Sequence, residues 1–233
     1  MDEAVVYLQP AYILQHRPYR ETSLLLEVFT RDFGLISVLA KGVRKEKSKT
    51  AGLLLPFSLL QISYLDKNEL KLLTNAEFLE AHDLQRLGLY CGFYVNELLQ
   101  RFLHKHDPNP ALFVRYQQCL QALLTDENIE QTLRYFELDL LEQAGYAIEL
   151  DVDSRSGKPV QTERLYQFEA NLGMVEHSTG IDGRTLLAIS ERSVLDSVSL
   201  NQAKQLLRTL LAQHLQGKPL KSRAVLAKVI KYL

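Results

Sequence analysis

Hydrophobic and polar positions alternate over the first 80 residues with the period of two that is typical of β-strands. In residues 35–40, for example, Ile36, Val38 and Ala40 share one face, and the residues between them share the other. The predicted strands cover residues 12–15, 22–30, 35–40, 57–65 and 70–78, with turns at Arg17-Pro18, Asp32-Phe33-Gly34 and Lys67-Asn68. Five strands in about 80 residues indicate an OB-like barrel.

From about Leu84 the hydrophobic residues recur every three or four positions, as on one face of an α-helix. The helices are predicted from about 84 to a stop at Asp107-Pro108, over 110–124, from a cap at Asp126 to Gly145, over 184–191, over 200–215 and from 222 onwards. Ser199 and Gln202 have the spacing of a capping box. Residues 151–183 lack the helical period, and 165–168 and 174–176 are predicted to pair as a small hairpin.

Strands followed by helices predict a multidomain α+β chain with a boundary near residue 80. The chain has 233 residues, 46% hydrophobic and 24% charged, which is the composition of an ordinary globular protein. No apolar run approaches the roughly 20 residues that a membrane-spanning helix needs. The Met-Asp-Glu start lacks the basic and apolar regions of a signal peptide. We therefore expect a cytoplasmic protein with no membrane contact.

The residue types that carry catalysis or hold metals are not arranged in known motifs. Cys91 and Cys119 are the only cysteines and do not form a C-x-x-C pair, so both are predicted to be buried thiols. Phosphate-binding glycine loops, a nucleophile elbow and a metalloprotease motif are absent. A nuclease would need clustered carboxylates, and Asp151 with Asp153 is the nearest approach. We expect no enzyme activity, no metal and no cofactor.

A nucleic-acid site must come from local clustering, because the net charge is only −1. Residues 41–49 contain one carboxylate and five cations, which are Lys41, Arg44, Lys45, Lys47 and Lys49. Such a loop between two barrel strands can follow a phosphate backbone and release its counterions, although a solvated loop is the alternative. The candidates for base stacking are Tyr12, Tyr19, Phe57 and Tyr64, each of which also suits a core position.

A second basic cluster lies near the end of the chain, where residues 217–233 carry five cations and no carboxylate. Lys218, Lys221 and Arg223 lie around the start of the predicted last helix, where positive charge opposes the helix dipole. This placement indicates an anionic partner, either phosphate or carboxylate. The alternative is that basic residues near helix C-termini simply complement the helix dipole.

A candidate peptide site lies on the third predicted helix. Arg134, Leu138 and Leu141 fall at i, i+4 and i+7 on one face. An arginine beside apolar side chains can hold the terminal carboxylate of a peptide whose apolar residues fill the neighbouring pocket. The alternative is an i, i+3 salt bridge between Arg134 and Glu137 on the surface.

An ordered set of motifs resembles the RecO family of bacterial DNA repair proteins, in its enterobacterial form. It consists of Gln15-His16-Arg17-Pro18-Tyr19-Arg20-Glu21-Thr22-Ser23-Leu24, Phe29-Thr30, Gly34, Ala40-Lys41-Gly42-Val43-Arg44, Leu55-Pro56-Phe57, Ala76-Glu77, Tyr94-x-Asn96-Glu97-Leu98-Leu99, Arg134-x-Phe136-Glu137-Leu138, Gly145-Tyr146 and Gly217-Lys218-Pro219-Leu220-Lys221-Ser222-Arg223. Many RecO proteins also carry a four-cysteine zinc motif. Residues 150–160 hold no cysteine where its first pair would fall, so zinc is not carried over.

The resemblance implies a recombination mediator of the RecFOR pathway that binds single- and double-stranded DNA and anneals complementary strands. With RecR, such a protein helps RecA displace the single-strand-binding protein SSB. The resemblance makes residues 1–80 a DNA-binding OB-fold domain and 81–233 a helical domain, with an insert at about 151–183. It also implies that the acidic, apolar C-terminal tail of SSB docks around Arg134, Leu138 and Leu141.

From the two basic clusters and the resemblance, we predict the following DNA-binding residues: Arg17, Lys41, Arg44, Lys45, Lys47, Lys49, Lys218, Lys221 and Arg223. We expect a protein that is monomeric alone and associates with the nucleoid during repair. The alternative is a protein adaptor whose barrel and helices bind peptides, with DNA binding incidental.

Overall fold

The computed structural model describes residues 4–46, 48, 50–66, 68–125, 127–215 and 217–229. The chain divides into two compact units, which we call unit 1 (Met1–Glu127 with Leu220–Leu233) and unit 2 (Asn128–Pro219). The predicted boundary near residue 80 lies where the last barrel strand ends and the first helix begins. The division into a DNA-binding domain before it and a helical domain after it stays a prediction. No helix in the described ranges is long and apolar enough to cross a membrane.

A closed five-stranded barrel forms the first part of unit 1. Its strands are β1 (Ala4–Tyr19), β2 (Ser23–Thr30), β3 (Gly34–Ala40), β4 (Ser58–Asp66) and β5 (Leu70–Ala81). They neighbour one another in the order β1-β2-β3-β5-β4, and β1 closes the barrel against β4. Only the β3–β5 pairing is parallel. The predicted OB-like barrel is therefore confirmed.

The first strand differs from its prediction. The sequence predicts a short strand that ends at Arg17-Pro18, but β1 continues to Tyr19, with Pro18 opposite Leu24 of β2. Pro18 fits because β4 pairs with β1 only as far as Tyr12, so one edge of β1 is open at Pro18. A proline without an N–H is tolerated at such an edge.

Helices α1 (Arg86–Phe102), α2 (Pro110–Ala122) and α6 (Lys221–Val229) complete unit 1. Asn109 caps α2 by accepting a hydrogen bond from the Leu112 N–H, and Pro110 occupies the first helical turn. The predicted first helix extends to Asp107, but α1 ends at Phe102. The segment that follows is held by β3, because the His106 N–H donates to the Leu35 carbonyl.

Aromatic side chains join α2 to the outer face of the barrel. Tyr12 and Phe29 lie opposite each other on β1 and β2, and both are fully buried. The Tyr12 ring lies 5.3 Å from that of Phe113 and 4.9 Å from that of Tyr116, between ring centroids. Ile36, Val38 and Ala40 share one face, as predicted, and this face points into the barrel core. The strands under α2 are therefore buried on both faces.

Unit 2 contains α3 (Ile129–Gln143), β6 (Leu165–Glu169), β7 (Gly173–His177), β8 (Ile181–Asp182), α4 (Gly183–Ser190) and α5 (Ser197–His214). The predicted hairpin is β6–β7, and β8 extends it to a three-stranded sheet. Gly145 has a φ of +81° after α3, as a helix C-terminus requires. The predicted cap Asp126 and turn residue Lys67 lie outside the described residues.

The predicted capping box at Ser199 and Gln202 is wrong. Asp196 is the N-cap of α5, and its Oδ1 accepts a hydrogen bond from the Ser199 N–H at 2.7 Å. Ser199 is therefore inside the helix, and Gln202 instead exchanges hydrogen bonds with Asp182. A carboxylate three residues earlier is an equally good cap, so spacing alone did not distinguish the two.

Asp153 organises the cysteine-free segment that precedes β6. Its carboxylate accepts hydrogen bonds from the Ser156 hydroxyl and from the backbone N–H groups of Arg155 and Glu176. The Glu176 bond ties the segment to β7. The hydrogen bond from Ser156 lowers the pKa of Asp153 below its usual value of 3.8. Burial opposes this shift, and the backbone N–H groups add to it.

We predict that Asp153→Asn destabilises unit 2 at neutral pH and that the difference from wild type shrinks in acid. The lowered pKa means that the carboxylate stabilises the fold above pH 3.8 and loses this effect as the pH falls through the folded-state pKa. Urea unfolding across an acid pH series measures the difference. The exposed Asp151→Asn is the matched control, and an equal response of the two variants would contradict the role of Asp153.

Candidate nucleic-acid interface

The loop after β3 forms a cleft with the end of β1, which we call the basic cleft. Its volume is about 400 Å³, and its lining consists of Tyr19, Arg20, Thr22, Ser23, Leu39, Lys41, Gly42 and Lys45. Gly42 has a φ of +69° and turns the loop. The Arg44 N–H donates to the Thr22 carbonyl at 2.8 Å, and buried Val43 anchors the loop in the core. The cleft therefore has fixed walls.

Exposed cations surround the basic cleft. Lys41 and Lys45 are exposed, and neither forms an ion pair within the described part of the chain. The Arg20 guanidinium lies 5.4 Å from the centre of the Tyr19 ring. Arg44 donates from Nη1 to the Arg20 carbonyl at 3.3 Å. Lys47 and Lys49 lie outside the described residues. The described cations leave their charge available to an anion.

Three of the four candidate stacking residues belong to the core. Tyr12, Phe57 and Tyr64 are buried, and only Tyr19 is partly exposed beside the basic cleft. Tyr12 packs under α2, whereas Tyr64 belongs to the barrel core. Burial raises the pKa of both phenols. Tyr19 is therefore the one of the four that can meet a base.

A second cleft continues along the outer face of β1, and we call it the Arg17 cleft. Its volume is about 370 Å³, and it is lined by Gln15, Arg17, Leu25, Glu27, Leu35, Gln100 and Lys105. Gln15, Arg17 and Tyr19 alternate along β1 opposite Glu27, Leu25 and Ser23 of β2, so they share one face. Lys105 lies 3.8 Å from the Glu27 carboxylate and donates to Ser37 at 2.6 Å.

The start of α6 has an anionic partner inside unit 1. The Glu97 carboxylate accepts hydrogen bonds from the backbone N–H groups of Lys221 and Ser222, at 3.0 and 2.8 Å, and from the Ser222 hydroxyl. Arg223 donates from Nη2 to the Tyr94 hydroxyl at 3.2 Å and lies over that ring. The sequence predicted that this cluster meets an anion, either a phosphate or a carboxylate, and the Glu97 carboxylate of the same chain lies there. Contact of Lys221 and Arg223 with DNA stays a prediction.

The charge of Glu97 is stabilised at this helix start. Burial alone would raise its pKa, but the hydrogen bonds from Ser222 and Lys221, together with Arg101, lower it below the usual value of 4.5. A carboxylate at a helix N-terminus also suits the helix dipole. Lys218 belongs to unit 2 and is exposed there.

The candidate peptide site in unit 2 is buried. Arg134 is 6% exposed, and its Nη2 donates to Glu137, which is 2% exposed, at 2.7 Å. The i, i+3 salt bridge therefore forms, but in the interior and not on the surface. The Arg134 Nε has no hydrogen-bond partner among the described residues. Leu138 and Leu141 are also buried. Binding of a peptide to these three residues stays a prediction.

Sequence reasoning missed three contributors to these sites: Arg20, Glu97 and Lys105. Arg20 lies two residues after the Arg17-Pro18 dipeptide. A second arginine beside this predicted turn was a usable signal of a basic site. Glu97 and Lys105 gave no such signal, because their partners are distant in sequence. Among the described residues, no group of three His, Cys, Asp or Glu side chains is placed to hold a metal ion.

Comparison with known proteins finds one family over residues 1–224. The family model described as recombination protein O N terminal matches residues 1–82, and the one described as recombination protein O C terminal matches residues 82–224. The DNA repair protein RecO of Methylococcus capsulatus is 44% identical over 226 residues, covering 95% of this chain and 93% of that protein. That of Haemophilus influenzae strain 86-028NP is 40% identical over 231 residues, covering 97% and 98%.

We predict that Glu97→Ala loosens α6, because the first N–H groups of the helix lose their acceptor. Loss of a helix cap costs about 0.5–2 kcal/mol, so amide exchange over 221–229 should accelerate by about 2- to 30-fold. Hydrogen–deuterium exchange mass spectrometry measures this. Glu77→Ala, at an exposed position of β5, is the control. Unchanged exchange in α6 would show that Glu97 does not hold it.

Proposed function

Because the chain belongs to the RecO family of DNA repair proteins, we propose that it acts as a recombination mediator in the cytoplasm. It binds single- and double-stranded DNA, anneals complementary strands and, with RecR, helps to load RecA onto SSB-coated single strands. It does this without a catalytic centre. The proposal concerns these specific activities, since membership of the family itself establishes a role in DNA repair.

The basic cleft carries the DNA-binding proposal. Lys41 and Lys45 are exposed beside Tyr19 and Arg20, on the outer face of an OB-fold barrel. OB-folds bind single strands by combining a basic groove with aromatic rings on which bases stack. Each phosphate that meets a lysine or arginine releases condensed counterions, which favours binding. The whole chain carries a net charge of −1, so this attraction is local to the cleft.

Annealing follows from charge neutralisation and positioning. Two DNA strands repel each other through their phosphates, and cations of the barrel screen this repulsion. Base pairing then supplies the free energy, so no general acid or base is required. Attachment of the protein to SSB raises the local concentration of the barrel near the coated strand.

The SSB tail docks on unit 2 around Arg134 in this proposal. The guanidinium gives one hydrogen bond to Glu137, and its Nε has no partner among the described residues, so it retains capacity for a carboxylate. Leu138 and Leu141 are buried, so the apolar tail residues reach them only if neighbouring side chains move aside.

We predict that changing Lys41, Arg44, Lys45, Lys47 and Lys49 to Gln weakens binding of single-stranded DNA and flattens its salt dependence. The slope of log K against log salt should fall by about 0.7 for each phosphate that the loop no longer neutralises. Fluorescence anisotropy with a labelled oligonucleotide across a salt series measures both effects.

The matched control changes five exposed cations of unit 2 to Gln: Arg155, Lys158, Arg164, Arg184 and Arg208. It alters the net charge equally and should leave affinity and slope near wild type. If the loop variant also matched wild type, the basic cleft would not be the site. Failure of wild type to bind at low salt would favour the adaptor alternative.

We predict that the double variant Arg134→Ala/Glu137→Ala loses affinity for a peptide with the SSB tail sequence. A charge-assisted hydrogen bond contributes about 1.5–3 kcal/mol, so binding should weaken by roughly 10- to 150-fold. The double change avoids leaving Glu137 as an unpaired buried charge. Circular dichroism checks folding, and DNA binding by the basic cleft should be unchanged. If the folded double variant bound the peptide as tightly as wild type does, this docking site would be ruled out.

A further inference from the structure

A third cleft of unit 1 has no role in the proposal so far. It lies between β1 and α1, and we call it the α1 cleft. Its volume is about 710 Å³, and its lining includes Gln15, His16, Phe93, Gln100, Arg101 and Lys221. This volume is in the range of pockets that hold small organic ligands.

Phe93 provides a fixed aromatic surface at this cleft. Its side chain is 44% exposed, although it lies on a helix that packs against the barrel. The ring of buried Phe57 contacts it edge-on, with centroids 5.1 Å apart. A side chain on neighbouring Gly92 would come within 3.0 Å of Phe57, so α1 sits close to this ring. Phe93 is therefore held in place on one side and open on the other.

The charges of the α1 cleft suit a phosphate. Arg101 and Lys221 both line it. Glu97 is also part of the lining, but its oxygens accept three hydrogen bonds from the start of α6. The Arg101 guanidinium lies 4.0 Å from Glu97 and a third of its side chain is exposed, so it can turn to a ligand.

The α1 cleft, the Arg17 cleft and the basic cleft form one path. Gln15 and Gln100 line both the α1 cleft and the Arg17 cleft. Gln15, Arg17 and Tyr19 share the outer face of β1, and Tyr19 lines the basic cleft. Gln15 and Tyr19 are four residues apart on β1, so their backbones lie about 13 Å apart at 3.3 Å per residue. A flexible strand bound in the basic cleft can therefore continue past Arg17 to Phe93.

We propose that the α1 cleft is a nucleotide-binding subsite in which an unpaired base of single-stranded DNA stacks on Phe93. Arg101 and Lys221 face the adjoining phosphate. The subsite rests on the proposed function, since it extends the strand bound at the basic cleft. A paired base has both faces stacked within the duplex, so the subsite favours single strands over duplex DNA.

The chain contains no tryptophan, so Phe93→Trp introduces a single fluorescent reporter. The probes are oligothymidylates of about 4 to 16 nucleotides, the range of OB-fold site sizes. We expect quenching of this tryptophan that appears only once the oligonucleotide reaches from the basic cleft to α1. Phe78→Trp, at a position on β5 that is 52% exposed, is the matched control and should not be quenched.

Affinity measurements with Phe93→Ala complete the test. Loss of one base–aromatic stack should weaken single-strand binding by about 5- to 150-fold, leave the salt slope unchanged and spare duplex binding. Phe93→Tyr should restore affinity, and Phe78→Ala should match wild type. Arg17→Gln, by contrast, should reduce the slope.

If Phe93→Trp binds DNA by anisotropy without quenching, the subsite is wrong and the proposed function stands. If the SSB tail peptide quenches this tryptophan and DNA does not, the cleft is a peptide site and the subsite is again wrong. Absence of any DNA binding by wild type would overturn the subsite and the proposed function together.

Discussion

The packing of α2 on the outer face of β1 and β2 is the contact on which unit 1 depends. Tyr12 and Phe29 of the barrel meet Phe113 and Tyr116 of the helix, and each of these side chains is buried. Buried Asn96 of α1 joins the same region, because it accepts a hydrogen bond from Tyr116 at 2.6 Å and donates to the Leu14 carbonyl at 2.9 Å. The large aromatic area and the two hydrogen bonds of the Asn96 side chain together fix both helices on the barrel.

This contact also decides which part of the barrel is available to a ligand. An OB-fold presents an outer sheet face, and here α2 covers that face at Tyr12 and Phe29. Beyond Ile13 a bulge shifts the register of β1, and the strand then presents Gln15, Arg17 and Tyr19. The cations gather at this open end, since covered positions would require their desolvation. The basic cleft and the Arg17 cleft are thus what the helices leave uncovered.

The C-terminal cations illustrate how an internal carboxylate changes the interpretation of charge. Five positive charges and no negative charge in residues 217–233 indicate an anion-binding segment. In the folded chain, Glu97 accepts the hydrogen bonds of the α6 start, and Arg223 lies over Tyr94. Part of this charge therefore serves to attach α6 to α1. The same attachment brings Lys221 to the α1 cleft.

Apart from the short β8, the sequence by itself determined the classes and order of the elements. Alternation over Ile36, Val38 and Ala40 correctly predicted that they share one face, and the change of period near Leu84 predicted the helices. These patterns are local, because each strand or helix must bury its own apolar face. The motifs resembling RecO proteins, which run from Gln15 to Arg223, identified the family correctly.

Only the tertiary structure decided which residues face solvent and which distant residues meet. Tyr12 and Tyr19 look alike in the sequence, yet α2 buries one and leaves the other beside Lys41. Arg134 has the spacing of a surface salt bridge, but its pair with Glu137 is interior. Glu97 meets Ser222 across 125 positions of sequence. Local periodicity carries no information on such pairings, because they depend on how packed elements cover one another.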